Sequence, residues 1–212
     1  SGFVSEYQRR PVNYGSGYGN TLFLDPLVRQ AILMTMDRDR IVNDLFRGLP
    51  TPGDSVLSTG FWHNDVAELP YDPADAKTML LANGYEEGTG GVLQATADAY
   101  PVVMGWADEG DPLSFRLRAP DTDPTYDTVA SDSPDFAILA GIELVYDGVT
   151  PENTMINIDW YKADYDIWVW AWYWSPEPLS NLAVWLTDQI KPGGNNCQMP
   201  MGPWWYSAEN SS

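Results

Sequence analysis

The stretch that decides the fold is YDIWVWAW at residues 165–172, an almost wholly apolar run. A run of this kind predicts a central strand that is buried on both faces of a parallel sheet. Two further strands are predicted before it, LSFRLR at 113–118 and IELVY at 142–146. Helical segments separate them, one ending near residues 140–141 and one following Thr150-Pro151-Glu152 as far as residue 158. This alternation predicts an α/β fold, a mixed sheet flanked by helices with at least some parallel pairing.

The part of the chain before these strands, residues 25–85, carries signals for helices. Asp25-Pro26 and Asp72-Pro73 each place an aspartate before a proline, the pairing typical of a helix cap followed by the first helical residue. The first predicted helix has apolar residues at helical spacing, and the second ends at Asn83-Gly84. Asp37 predicts another cap, for a helix running from about Arg38 to Arg47 and stopped by Gly48.

The remaining segments are predicted to be irregular. Residues 1–24 are expected to be extended, with an edge strand at 21–24. Residues 49–71 and 86–112 read as loops. The sheet is expected within 113–186, and all of 1–212 is interpreted as a single domain. Two arginines of the helical part, Arg29 and Arg40, are expected on solvated or salt-bridged faces.

Composition excludes several classes of function. The 212 residues include 11 basic and 30 acidic side chains, a formal charge of −19, which argues against nucleic acid and anionic membranes as partners. No run approaches the ~20 apolar residues of a membrane span. A single Cys (Cys197) and a single His (His63) exclude an internal disulfide, a Cys-based zinc site and a two-His metal motif. The acidity is interpreted mainly as surface charge that confers solubility.

Tryptophan is the compositional feature that points to function. On an alternating strand, Trp168, Trp170, Trp172 and Trp174 lie on one face, while 167, 169, 171 and 173 lie on the other. Trp168 and Trp170 are expected in the core. Trp172 and Trp174 are expected in a cleft, because α/β sheets bind ligands at the carboxyl ends of their strands. The alternative is that all of these indoles pack in the core beneath helices.

Acidic clusters offer weaker signals. Asp108-Glu109-Gly110-Asp111 and Asp121-Thr122-Asp123 group oxygen donors, but neither has the spacing of an EF-hand calcium loop, so loop acids without metal are expected. Asp164 and Asp166 flank Tyr165 and are expected to start or cap the following strand. Carboxylate pairs are so abundant that they identify no catalytic pair.

Three ordered motifs resemble a known family. They begin at Asp25 (DPLVRQA, then MDRDRIV from 36), at Tyr71 (YDPADAK, then LLANGY from 80) and at Gly141 (GIEL, then DYDI from 164 and WAW from 170). Together they look like the extracellular solute-binding proteins of the oligopeptide, dipeptide and nickel class of ABC importers. The resemblance implies a periplasmic-binding-protein-like clamp of two lobes that closes on a solute, of which this chain is the C-terminal lobe without its N-terminal lobe.

The same resemblance implies a cellular role and location. Such proteins are exported, either periplasmic or anchored as lipoproteins to the outer face of the membrane, which would place the secretion signal outside this sequence. Their partners are a peptide or other small solute and a membrane-embedded ABC permease. A binding protein with neither catalytic activity nor a cofactor is therefore expected. An isolated lobe would expose its cleft face and is expected to self-associate.

The resemblance also implies a ligand-binding stretch directly after the Trp-rich strand. The expected contributors are Trp172, Tyr173, Trp174, Ser175, Glu177 and Asn181. Peptide-binding members place an acidic residue near this point to pair with the ligand's α-amino group, and Ser175 occupies the closest matching position. This departure keeps sugars, modified peptides and other organic solutes open as ligands. Two other functions also stay open, a hydrolase with two carboxylates in the cleft and an interaction domain without a small ligand.

Overall fold

A parallel sheet lies at the centre of the structure. The computed structural model describes residues 20–50, 69–156 and 165–170. Its parallel strands are β3 (Ser114–Arg118), β4 (Glu143–Val145) and β5 (Ile167–Trp168), in the order β4-β3-β5. β3 pairs in parallel with both neighbours, which confirms the α/β class and the parallel pairing. Within the described residues β3, and not β5, is the middle strand.

The three longest described helices share one way of starting. They are α1 (Pro26–Met34), α3 (Pro73–Leu81) and α5 (Pro124–Ala137). In each, an aspartate precedes the proline and its carboxylate accepts a hydrogen bond from a backbone N–H of the first turn. The proline costs no hydrogen bond there, since the first N–H groups of a helix have no partner within it. Two of the starts were predicted, and Asp123-Pro124 supplies the third.

The predicted helix over 38–47 is shorter and less regular than expected. α2 covers Arg38–Arg40, and a π-helical turn continues over Ile41–Leu45. Asp37 caps α2 as predicted, by accepting a hydrogen bond from the N–H of Arg40 at 2.9 Å. The turn widens because the N–H of Phe46 bonds the carbonyl of Ile41 at 3.1 Å, five residues back.

Two predictions of irregular or extended chain were wrong. Residues 21–24 form a 3₁₀ helix (Thr21–Leu24) and not an edge strand, because the Asn20 side chain accepts the Leu22 N–H and starts a turn. The segment 86–112 contains an antiparallel hairpin of β1 (Tyr85–Glu87) and β2 (Leu93–Ala95), followed by α4 (Tyr100–Val103). Leu93 and Ala95 are buried, so even this acidic segment contributes to the core.

The core lies between the helices and one face of the parallel sheet. It joins buried side chains of α1, α3, α5, both sheets and the 3₁₀ helix. Phe115 of β3 is fully buried at its centre, with the ring of Phe23 edge-on at 5.2 Å. A short helix, α6 (Glu152–Thr154), follows β4. Among the described helices, none has the length and apolar character needed to cross a bilayer.

Arg29 and Arg40, two of the arginines of the helical part, have different partners. Arg40 forms a salt bridge with Asp132 at 2.8 Å, as expected. Arg29 is half-buried, and its Nη1 donates to the carbonyl oxygens of Phe23 at 2.7 Å and Leu24 at 2.9 Å. It therefore ties α1 to the preceding 3₁₀ helix, a role that its position in the sequence did not indicate.

A buried pair of polar side chains joins the start of α1 to β1. The Asp25 carboxylate accepts hydrogen bonds from the Leu27 N–H at 2.9 Å and from the Tyr85 hydroxyl at 2.8 Å. Burial, and then the nearby charge and hydrogen bond of Asp25, raise the pKa of Tyr85 well above its ordinary value of 10. The phenol is thus held protonated in the folded state at pH values where an unfolded chain would ionise.

We expect Tyr85→Phe to change how stability depends on alkaline pH. A raised folded-state pKa contributes stability that is present below pH 10 and is lost as the pH rises above 10 towards the folded value. The variant should lose roughly 1–3 kcal/mol at neutral pH, because Asp25 loses a buried donor. It should also show a shallower fall in the free energy of unfolding above pH 10, measured by urea titration.

The matched control for this experiment is Tyr100→Phe, since Tyr100 is exposed. The pKa of Tyr146 is also raised, by burial and by its hydrogen bond to Asp127. Tyr146 is unchanged in both variants, so its contribution to the pH dependence of stability is the same in all three proteins. Equal slopes above pH 10 for the wild type and Tyr85→Phe would contradict the assignment.

Alanine substitutions at two glycines in and beside the hairpin test how closely its backbone packs against the segment around Ala99. Gly84 (φ +91°) and Gly90 (φ +70°) both adopt the left-handed backbone region. A Cβ at Gly84 would lie 2.5 Å from the backbone nitrogen of Ala99, whereas a Cβ at Gly90 would meet nothing within 4 Å. Both alanine variants should lose about 1–2 kcal/mol from backbone strain. Gly84→Ala should lose on the order of 1–3 kcal/mol more, because backbone atoms must move.

Thermal and urea unfolding of the two alanine variants would measure that difference. Equal destabilisation would show that the approach of Ala99 to Gly84 is not a tight packing constraint.

Candidate functional site

The parallel sheet has two faces of different character. Leu117 pairs with Ile167, and Arg118 pairs with Trp168. Because side chains alternate along a strand, directly paired residues share a face. One face, which we call the core face, carries Phe115, Leu117, Leu144, Ile167 and Val169. The opposite face, the tryptophan face, carries Arg116, Arg118, Trp168 and Trp170.

The placement of Trp168 and Trp170 corrects the sequence prediction. They were expected in the core, but Ile167 and Val169 pack against it instead. Trp168 and Trp170 are half-buried on the opposite face. Ile167 and Trp168 are half-buried alike, so β5 is not fully buried on both faces as predicted. The smaller β-branched side chains occupy the side towards the core, which leaves the wide indoles on the other side.

The indoles form a continuous aromatic row with Tyr165. The ring of Tyr165 stacks on Trp168 with centroids 4.1 Å apart and an interplanar angle of 19°. Trp168 meets Trp170 edge-on, with centroids 5.6 Å apart at 69°. Both geometries are favourable for aromatic pairs. The row follows β5 towards its carboxyl end.

The carboxyl ends of β3 and β5 meet at one edge of the sheet. The Val169 N–H bonds the carbonyl of Arg118 at 2.9 Å, and the Thr150 N–H bonds that of Ala119 at 2.8 Å. Arg118 Nη1 lies 3.5 Å from Thr150 Oγ1. This edge therefore brings together a guanidinium, a buried hydroxyl and the end of the aromatic row. The carboxyl edge of a parallel sheet is the usual place for a ligand.

Sequence reasoning did not select Arg118 or Thr150 as residues of this edge. A signal for Arg118 was present, since LSFRLR alternates strictly and places Arg116 and Arg118 on one face. Thr150 had no comparable signal. Its position depends on a parallel bridge between residues 120 and 150, which no local pattern reveals.

A fully buried carboxylate anchors the amino end of β5. Asp166 accepts hydrogen bonds from the Asn20 N–H at 2.6 Å and from the Arg116 N–H at 2.8 Å. The Arg116 Nε also lies 3.3 Å from the same carboxylate. These bonds confirm that Asp166 starts the strand. Its neighbour Asp164 lies outside the described residues.

The acidic loops use their carboxylates to hold backbone. Asp111 accepts a hydrogen bond from the Asp108 N–H at 2.9 Å, and Asp121 accepts one from the Glu152 N–H at 3.1 Å. Burial raises the pKa of Asp111, whereas the backbone N–H of Thr125 lowers the pKa of Asp123. Over residues 20–50, 69–156 and 165–170, no three His, Cys, Asp or Glu side chains come together as metal ligands would. The structure therefore gives these acids structural partners.

The predicted ligand-binding residues lie outside the part of the chain that the structure describes. These are Trp172, Tyr173, Trp174, Ser175, Glu177 and Asn181, and the same holds for His63 and Cys197. The described segment 165–170 ends two residues before the first of them, Trp172. The predictions for these side chains stay predictions.

Comparison with known proteins identifies relatives of the fold. The structure is similar to the oligopeptide-binding protein AppA from Bacillus subtilis in complex with a nonapeptide, with a TM-score of 0.66 and 24% identity over 91% of this chain. It is also similar to NikA from Brucella suis in complex with Fe(III)-EDTA, with a TM-score of 0.62 and 18% identity over 85% of this chain. The chain covers 36% and 33% of these proteins, respectively. The periplasmic-binding-protein-like fold is thereby confirmed for part of such a protein.

Curated sequences give shorter matches. A dipeptide-binding protein from Escherichia coli (strain K12) is 30% identical over 66 residues, and heme-binding protein A from Haemophilus influenzae is 32% identical over 63 residues. These matches cover about 30% of this chain and 12% of each relative.

The family assignment comes from a longer match. Residues 6–193 match the bacterial extracellular solute-binding proteins, family 5 Middle, which confirms the resemblance found in the motifs. A family of solute-binding proteins also agrees with the expectation of a binding protein and not an enzyme. This match covers most of the sequence, and the chain belongs to family 5 of the bacterial extracellular solute-binding proteins.

Proposed function

We propose that this chain is the C-terminal lobe of a two-lobed protein that captures a peptide or another small organic solute for an ABC permease. Family membership supports solute binding outside the cytoplasm, in the periplasm or at the outer face of the membrane. The chain spans about a third of the solved proteins it resembles, so the proposal requires a further lobe to close over the solute.

The tryptophan face is the observation that carries the proposal. Trp168 and Trp170 lie on the sheet face turned away from the core, and the aromatic row follows β5 towards the carboxyl edge. If the alternation of β5 continues, Trp172 and Trp174 extend the same row. An aromatic wall of this kind binds the apolar or ring face of a solute.

The polar contacts of the proposed site come from the stretch after the strand. Tyr173, Ser175, Glu177 and Asn181 supply hydroxyl, carboxylate and amide groups that fix a solute's orientation by hydrogen bonds. Capture is non-covalent, and closure of the two lobes presents the solute to the permease.

Removing the outer indoles should weaken solute binding. The solute is first identified by native mass spectrometry of the full-length protein with its co-purified ligand. Trp172→Ala and Trp174→Ala should each lower its affinity about tenfold, because a stacked aromatic group contributes on the order of 1 kcal/mol or more. Isothermal titration calorimetry measures the change.

Trp106→Ala is the matched control for these variants, since Trp106 follows α4 in the chain, lies outside the sequence of β5 and packs edge-on against Tyr100. Its affinity should equal that of the wild type. Unchanged affinity in both Trp172→Ala and Trp174→Ala would refute the aromatic wall.

Ser175 at the expected amine-anchoring position gives a second test. Free-amine and N-acetylated forms of the same short peptides should bind with similar affinity. If a buried acidic side chain paired with the amine, its loss would cost roughly 2–5 kcal/mol, well over tenfold in affinity. A loss of that size on acetylation, in calorimetry of the full-length protein, would contradict the prediction.

A further inference from the structure

The strand that carries the tryptophan face has an ambiguous pattern. A strand normally takes its register from the contrast between an apolar and a polar face. In β5 and the residues that follow it, Ile167 and Val169 are apolar on one side, and Trp168 and Trp170 are apolar on the other. Burial of apolar surface alone therefore discriminates poorly between the observed register and one shifted by a single residue.

The contacts of Asp166 distinguish the observed register of β5 from the shifted one. Its side chain is fully buried, and its two carboxylate oxygens face the Asn20 N–H at 2.6 Å and the Arg116 N–H at 2.8 Å. The Arg116 Nε, 3.3 Å away, adds a charged donor. We infer that Asp166 is a positioning residue that sets the register of β5 on β3, and thereby determines which face of the sheet Trp168 and Trp170 occupy.

The geometry explains why a shifted register is unfavourable. A shift of one residue moves Asp166 by about 3.3 Å along β3 and turns its side chain to the core face. The carboxylate would then lose all three donors inside the protein. Leaving a buried charge without its partners disfavours a state by roughly 100-fold or more. A buried ionic group that specifies register is the best-attested role for such groups.

Through Asn20, Asp166 is connected to a third element besides β3 and β5, the 3₁₀ helix at Thr21–Leu24. Its side chain donates to the carbonyl of Ser114 at 2.9 Å and accepts the Leu22 N–H at 2.9 Å. Asp166 therefore holds β5 against β3 and against the start of the 3₁₀ helix at once. Its donors belong to Asn20 and to Arg116, the middle residue of β3, and none comes from the carboxyl edge, so Asp166 acts on that edge only through the strand.

Fluorine NMR of the full-length protein labelled with 5-fluorotryptophan tests the inference. The signals of Trp168 and Trp170 are assigned by single Trp→Phe variants. Asp166→Asn keeps the shape of the side chain but replaces one acceptor with a donor that opposes an N–H group. We expect the two signals to shift or divide into two sets, and amide exchange at residues 165–170 to rise roughly 100-fold.

Asp25→Asn is the matched control. Asp25 is equally buried and accepts from a backbone N–H and the Tyr85 hydroxyl, but it lies outside the parallel sheet. It should lower the melting temperature without dividing the Trp168 and Trp170 signals. Single, unshifted signals in Asp166→Asn, with amide exchange equal to that of Asp25→Asn, would overturn the inference.

A rescue experiment covers the case in which Asp166→Asn fails to fold. Adding Trp168→Thr and Trp170→Thr gives the strand one apolar and one polar face, so the pattern itself then specifies the register. We expect this triple variant to fold. Its failure, while the Trp168→Thr, Trp170→Thr protein with Asp166 folds, would equally overturn the inference.

One consequence rests on the proposed function. For any free-amine or N-acetylated test peptide that the wild type binds, Asp166→Asn should lower the affinity at least tenfold and Asp25→Asn should not. If the wild type binds none of these peptides, peptide capture fails as a function, while the fluorine spectra still decide the register.

Discussion

Burial of one face of the parallel sheet is the constraint on which the rest of the structure depends. Phe115 and Leu117 of β3 are buried at the centre of the core, and Ile167 and Val169 of the neighbouring strand pack against it. Since side chains alternate, the indole of Trp168 lies on the opposite face together with Arg118. The register that turns Ile167 and Val169 towards the core therefore also places the aromatic row on the other side of the sheet.

The acidity of the chain has a structural component besides solubility. Asp25, Asp37, Asp72 and Asp123 each accept a backbone N–H at the start of a helix, where such N–H groups lack partners. Asp166 does the same for the start of a strand and is buried with its donors. Part of the formal charge of −19 therefore belongs to caps and anchors, and it does not indicate a cationic ligand.

Local signals predicted the elements that depend on local interactions. The helices beginning at Pro26 and Pro73 and the strand at residues 114–118 were all found from the sequence, because caps and alternation are decided within a few residues. The strand at Leu93–Ala95 was missed. Its hydrogen bonds to Gly141 and Leu113 come from distant parts of the chain, so tertiary contacts create it in an otherwise loop-like segment.

The sequence by itself determined the α/β class, the three strands of the parallel sheet, the family and the alternation of the tryptophans. These follow from periodicity, capping residues and ordered motifs, which are properties of short segments. Only the tertiary structure decided which of the two apolar sides of β5 faces the core, and it placed Arg118 and Thr150 at the carboxyl edge. The physical reason is that both sides of this strand are apolar, so its orientation depends on the buried contacts of Asp166 with Asn20 and Arg116, which are remote in sequence.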